Sequence, residues 1–265
     1  MTITAPVQSR AKPGLLGILI LGIWVAGGIA LVAYLVSVFN PTFIGTYGPS
    51  YLAGLRVTIT LVAISYTLGA LLSVAVAAGR MSSNRIARGM SGAYVTFFRG
   101  TPFLAQIFLI YYGLGSFRGA IESVGLWWFF REAWYCAILA MTLNTAAYQA
   151  EILRGAIESV PAGQWEGAKS LALSRLTTLR RIILPQALIV ALRPYANELI
   201  LMIKTSAVVA IITVFDLFGE TRRAFSKTFD FQTYIWAAVF YLVLVELLRH
   251  LTDWVERRAT RHLRR

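Results

Sequence analysis

Apolar residues run along this chain in blocks, not in alternation. Six blocks are long enough to cross a membrane, near 14–39, 52–78, 92–114, 133–153, 195–215 and 233–252. About 20 apolar residues in a helix cover a hydrocarbon core roughly 30 Å thick. The period-2 pattern of a barrel is absent. The pattern therefore predicts an all-α integral membrane protein, a bundle of about six transmembrane helices. Residues 14–39 are long for the apolar core of a signal peptide, and no small-x-small cleavage site follows, so they read as a retained helix. Small residues recur every fourth position at Gly22, Ala26, Ala30 and at Gly69, Ser73, Ala77, a spacing that lets helices approach closely.

The segment 154–193 between the fourth and fifth blocks has its own period. Trp165, Ala168, Ala172, Leu176 and Leu179 fall at spacings of three and four, with Lys169, Arg175 and Arg180 off that face. Ser174 is placed to cap a second short helix that Pro185 ends or kinks. Two short helices lying against the membrane domain are expected, either as an interfacial amphipathic element or as a docking surface for a soluble partner.

Composition agrees with a bilayer environment. Hydrophobic residues make up 57% and charged residues 14% of the 265, against about 25% charged in soluble domains. The net charge of +13 would suit a nucleic-acid binder, but the basic residues sit between apolar runs. They crowd on one side: Arg10 and Lys12, then Arg80, Arg85 and Arg88, the 154–193 stretch, and the tail from Arg249 to Arg265. The opposite loops hold Arg118, Arg131, Arg222, Arg223 and Lys227. This bias predicts both termini on the cytoplasmic side of the plasma (inner) membrane. Cys136 is the single cysteine, so no internal disulfide forms. His250 and His262 lack metal-ligand spacing. No nucleophile–base or carboxylate pair marks an enzyme site. Gly163 to Ser170 lacks the Gly-Lys-Ser/Thr ending of a phosphate loop, so the chain has no such ATP site.

The residues of the loop carry more than its period. Gly163-Gln164-Trp165-Glu166-Gly167-Ala168 with Leu171, then Leu184-Pro185-Gln186-Ala187 and Pro194, resembles the EAA loop of ABC importer permeases. Glu166 and Ala168 match that pattern, Gly167 replaces its middle alanine, and Ala172 replaces its glycine. Phe98-Arg99-Gly100-Thr101-Pro102 with Gln106 extends the resemblance to the polar amino acid permeases. So do Thr142 to Tyr148 with Glu151, and Asn197-Glu198 with Lys204-Thr205-Ser206. The nearest likeness is to subunits for histidine, arginine, lysine and ornithine, or for octopine and nopaline; Trp134-Tyr135-Cys136 resembles the opine members. The resemblance covers about 50–258, leaving 1–49 as an N-terminal segment with an extra helix and 259–265 as a basic tail, with the coupling loop at 155–190.

The resemblance implies a transport subunit working by alternating access. Its coupling contact with an ATPase would be made by Gly163, Gln164, Glu166, Ala168 and Leu171. It also implies a second permease subunit, identical or related, two ATP-binding subunits that use ATP and Mg, and an extracytoplasmic solute-binding protein. A stand-alone secondary transporter or channel is the alternative, and a membrane-bound enzyme a weaker one. Asn144, Tyr148 and Glu151 share one helical face, as substrate-path residues or, for Glu151, as half of an internal ion pair with Arg154 or Lys204. Arg99 is either part of the working motif or an anchor at the headgroups, with Thr101-Pro102 reading as the cap and first position of a helix.

Overall fold

The computed structural model describes residues 14–37 and 41–261. Arg10, Lys12, His262, Arg264 and Arg265, part of the charge count above, lie outside the described residues. The described chain is helical: α1 (Leu15–Ser37), α2 (Pro41–Arg80), α3 (Arg85–Gly100), α4 (Phe103–Phe108), α5 (Arg118–Ser123), α6 (Trp127–Phe130), α7 (Ala133–Glu158), α8 (Ala162–Ser170), α9 (Arg175–Thr178), α10 (Leu184–Ser206), α11 (Leu217–Thr228) and α12 (Gln232–Ala259). Two compact units result, Met1–Gly48 and Pro49–Arg265. In the first, α1 is apolar all round, and Gly22, Ala26 and Ala30 share one of its faces.

Four helical stretches are long and apolar enough to cross a membrane: Leu15–Ser37, Pro41–Arg80, Arg175–Ile212 and Gln232–Ala259. A fifth is Arg85–Gly100 with Phe103–Gly113, bent by 107° between the two parts. The expected 133–153 span corresponds to α7, which is long enough at 26 residues but does not pass as apolar. The reason is its position. α7 is the central helix of the second unit, with Cys136, Ala137, Ala140, Ala146, Ala147 and Ala150 fully buried. A helix faced by protein needs no continuous apolar surface, and α7 carries Thr142, Asn144, Thr145, Gln149 and Glu151 inward or at helix crossings.

Around α7 pack α3, α10 and the bent α4, with α12 against α10 and α11. Leu61, Ile107, Met141, Met202 and Ile212 form one core cluster, and Val76, Val95, Leu153, Ile157 and Ile183 the other. Gly69, Ser73 and Ala77 are buried as their spacing requires, and a Cβ on Gly69 would strike the Thr145 methyl. Gly54 likewise admits the Asp216 carbonyl, 2.8 Å from where a Cβ would stand. Asp216 caps α11, taking the Gly219 N–H at 2.8 Å, and its other oxygen accepts from Tyr241 at 3.3 Å and Thr58 at 3.5 Å. Burial pushes this carboxyl up to about 6 despite those bonds. The capping residue thus ties α2, α11 and α12 together.

The 154–193 segment differs from expectation in one respect. α8 is a separate short helix and Ser174 does cap α9, its Oγ accepting from the Thr177 N–H at 3.2 Å. But α9 is not a separate short helix. It continues through a π-helical turn at Leu179–Ile183 into α10, so this span begins at Arg175 and not near 195. Pro185 falls in the first turn of α10, and the Leu184 N–H reaches back to the Leu179 carbonyl. The wide turn absorbs the proline's missing donor, so the proline does not end the helix.

Candidate functional site

Three groups of side chains stand out, and the first is α8. Gly163, Gln164 and Glu166 are exposed, while Ala168 is buried, α8 packing on the π turn that leads into α10. Leu171 (74% exposed) and Leu176 (64%) place an apolar patch beside the end of the helix. The helix closes with a Schellman pair, Leu173 N–H to Ala168 O at 3.1 Å and Ala172 N–H to Lys169 O at 3.0 Å. Ala172 therefore adopts φ +52°, the left-handed conformation that glycine adopts without cost. Its period with Trp165 and Ala168 does not extend into α9, because the helix stops here.

The second group is an ionic hub where α2, α3 and α7 meet. Glu151 Oε1 lies 2.9 Å from Arg80 Nε, and Oε2 lies 2.8 Å from Arg154 Nη2 and 4.0 Å from Arg99 Nη1. Arg154 also reaches Glu158 at 2.6 Å, and the Arg99 guanidinium stands 5.3 Å from the centre of the Tyr148 ring. Arg154 is one of the two partners the sequence offered. The other, Lys204, is exposed and not in the hub. Arg80 had registered only as a charge on one side of the membrane. It is brought to Glu151 from 71 residues away, a separation no local spacing reveals. Arg99 thus faces Glu151 and Tyr148 from the end of α3, with exposed Gly100 beside it.

The third group is the bend between α3 and α4 and the cavity beside it. Thr101 closes α3, its hydroxyl bonded to Phe97 O at 2.8 Å, and Pro102 holds the N-cap position of α4, not its first turn. Buried Gln106 fastens the bend, with Nε2 2.9 Å from Phe98 O and 2.8 Å from Thr101 Oγ1. Asn144 completes it from α7, donating to Gln106 Oε1 at 2.9 Å and Phe98 O at 3.1 Å.

Asn144 and Thr101 also line a cavity of about 190 Å³ together with Tyr148, Glu198, Met202 and Thr205. Glu198 is buried, accepts from Thr145 at 2.9 Å, and has no arginine or lysine paired with it among the described residues. Tyr148 lines a second cavity too, about 450 Å³, shared with Arg99 and Glu151. The ring thus stands between the two spaces. Ser206 is buried and bonded to Ile203 O at 2.8 Å. The structure therefore brings Asn144, Tyr148, Glu151, Arg99, Thr101 and Thr205 into one region and leaves Lys204 and the α8 residues out of it.

Membrane-length helices, polar cavities among them and a short exposed helix between two long ones define a membrane transport component. The chain belongs to the family of binding-protein-dependent transport system inner membrane components, which it matches over residues 69–261. It is 42% identical over 217 residues to the nopaline transport system permease protein NocM of Agrobacterium fabrum, covering 82% of this chain and 90% of that one. It is 39% identical over 172 residues to the arginine ABC transporter permease protein ArtM of Escherichia coli, covering 65% and 77%. A solved amino acid ABC transporter with histidines superposes with a TM-score of 0.74 at 32% identity, over 83% of this chain and 99% of that one. The chain is accordingly a multi-pass inner-membrane permease subunit of an ABC importer, a transport component and not an enzyme, of a family that works with an ATPase and a binding protein.

Proposed function

We propose that this permease carries a small solute bearing both an ammonium and a carboxylate, of the arginine or opine type named for its relatives. The observation behind this is the Asn144–Tyr148–Glu198–Thr205 cavity: a buried carboxylate in no ion pair among the described residues, with Arg99 acting on it only at longer range, beside an amide, a phenol and a hydroxyl. Within low dielectric such a carboxylate attracts a cationic group far more strongly than in water. The carboxylate of Glu151 is already neutralised by Arg80 and Arg154, so Glu151 lines the path as part of a fixed hub. Glu198 is then the acidic contact for the solute, with Asn144 and Tyr148 adding hydrogen bonds and a ring face.

Alternating access is driven from outside the chain. Two ATP-binding subunits consume ATP with Mg, one docking on exposed Glu166, Gln164 and the Leu171 patch of α8. A second permease subunit completes the path, and an extracytoplasmic binding protein delivers the solute. With α8 on the cytoplasmic side, both chain ends lie there as well. The test is uptake by the reconstituted complex with Glu198→Gln, which keeps the size and removes the charge. Loss of cationic-solute uptake, with assembly and basal ATPase activity kept, supports the assignment. Uptake at the unaltered rate refutes it.

A further inference from the structure

A cleft between α10 and α12 shares no lining residue with the two cavities beside Tyr148. Arg193 on α10 meets Glu256 on α12 at 2.7 Å, and around this pair Asn197, Arg249, Thr252 and Asp253 line a space of about 440 Å³. Tyr66, Leu199, Leu248 and Leu251 line it too, and these same residues line an adjoining apolar groove of about 390 Å³. That groove runs on past Ile203, Leu244, Leu247 and Ile59.

The direction is the same along every wall. On α10 the charged end is Arg193 and the apolar end Ile203; on α12 they are Glu256 and Leu244; on α2 the groove runs from Tyr66 to Ile59. At 1.5 Å per residue these stretches measure roughly 10–18 Å, about the depth of one leaflet. One polar opening thus leads into one apolar channel on the flank of membrane-spanning helices. That is the shape of a phospholipid, with its headgroup at the charged end and an acyl chain along α12.

The charges select the headgroup. Basic pockets between membrane helices recruit anionic lipids. Here Arg193 is paired with Glu256 and Arg249 with Glu246 at 2.6 Å, while Asp253 acts on Arg193 at longer range and is in none of the ion pairs among the described residues. A lining of two arginines and two carboxylates complements a headgroup that is itself balanced, with its ammonium toward Asp253 and its phosphate sharing the Arg249 guanidinium with Glu246. An ammonium with N–H groups can donate to that carboxylate, whereas a quaternary one cannot.

We propose that this cleft is a binding site for a zwitterionic, primary-amine phospholipid of the phosphatidylethanolamine class. The proposal rests on the membrane-spanning reading and is independent of the solute assignment. The test uses the assembled importer in detergent, supplied separately with phosphatidylethanolamine, phosphatidylcholine or phosphatidylglycerol, with retained lipid counted by native mass spectrometry. The expected result is about tenfold preferential retention of phosphatidylethanolamine, the factor of one charge-assisted hydrogen bond. Asp253→Asn should abolish the preference, and Leu247→Trp should lower retention of all three lipids by filling the groove. Equal retention of the three lipids, or a preference unmoved by Asp253→Asn, overturns the proposal. A protein occupant is tested separately with Leu247→Cys, since the chain's own Cys136 is buried. Disulfide formation between two permease chains at that position would mean that protein covers the groove, and would also overturn it.

Discussion

Ala172 holds a backbone conformation that suits glycine, at the end of the helix assigned to the ATPase contact. An L-residue in the left-handed region costs roughly 1–2 kcal/mol. Replacing it with glycine relieves that strain but frees the unfolded chain, returning about 0.4–1 kcal/mol. The net expectation for Ala172→Gly is stabilisation of the α8 end by roughly 0.5–1 kcal/mol, a two- to fivefold smaller open population. The reporters are the Ala172 and Leu173 amides, bonded to the Lys169 and Ala168 carbonyls at 3.0 and 3.1 Å. Hydrogen exchange at these amides in the assembled complex should slow by that factor. Ala172→Val, whose branched side chain tolerates the left-handed region poorly, should speed it. Exchange unchanged in both variants, or faster in Ala172→Gly, would refute the strain argument.

Glu151→Gln leaves Arg80 and Arg154 without their shared carboxylate; because these side chains are 29% and 27% exposed, the loss should be below that of a fully buried pair. A destabilisation of about 1–3 kcal/mol should appear in thermal melts of the complex, and an unchanged melt would argue against the hub. Glu166→Lys should abolish the stimulation of ATPase activity by loaded binding protein while the complex still assembles; normal stimulation would remove Glu166 from the coupling contact. Gln106→Ala strips the α3–α4 bend of its fastening and leaves the Asn144 amide with Phe98 O alone of its two acceptors, at a cost of about 2 kcal/mol measured by denaturation. Stability within error of the unaltered protein would show that the bend holds by packing alone.

Much of this was legible along the chain. Long apolar blocks became α1, α2, the α3–α4 pair and α12, and Gly69, Ser73 and Ala77 mark a face that is buried. The loop period found α8, and the Ala172 departure from the glycine of the EAA pattern fell where the chain turns left-handed. Other features depend on contacts between distant segments. Pro185 reads locally as a break, yet the π turn carries the helix through it. The block at 133–153 found α7, but not that neighbouring helices satisfy its polar side chains. The Arg80–Glu151 pair joins two helices across 71 residues, and Glu198 reaches a cavity lined also from two other segments of the chain, the α3–α4 bend and α7. Spacing on one helix identified which residues share a face, as with Asn144, Tyr148 and Glu151. It could not show which of those groups would already be partnered.

The central claim is that this chain moves an ammonium- and carboxylate-bearing solute inward at the expense of ATP hydrolysed by another subunit. The most direct measurement is uptake of labelled arginine or an opine into vesicles containing the chain with its partner subunits, with ATP and Mg supplied at the ATPase side and loaded binding protein at the other. The account predicts accumulation against a gradient that stops when ATP, the ATPase subunits or the binding protein is omitted. Equal uptake by the permease alone, without ATPase subunits, would contradict it and support a stand-alone transporter or channel.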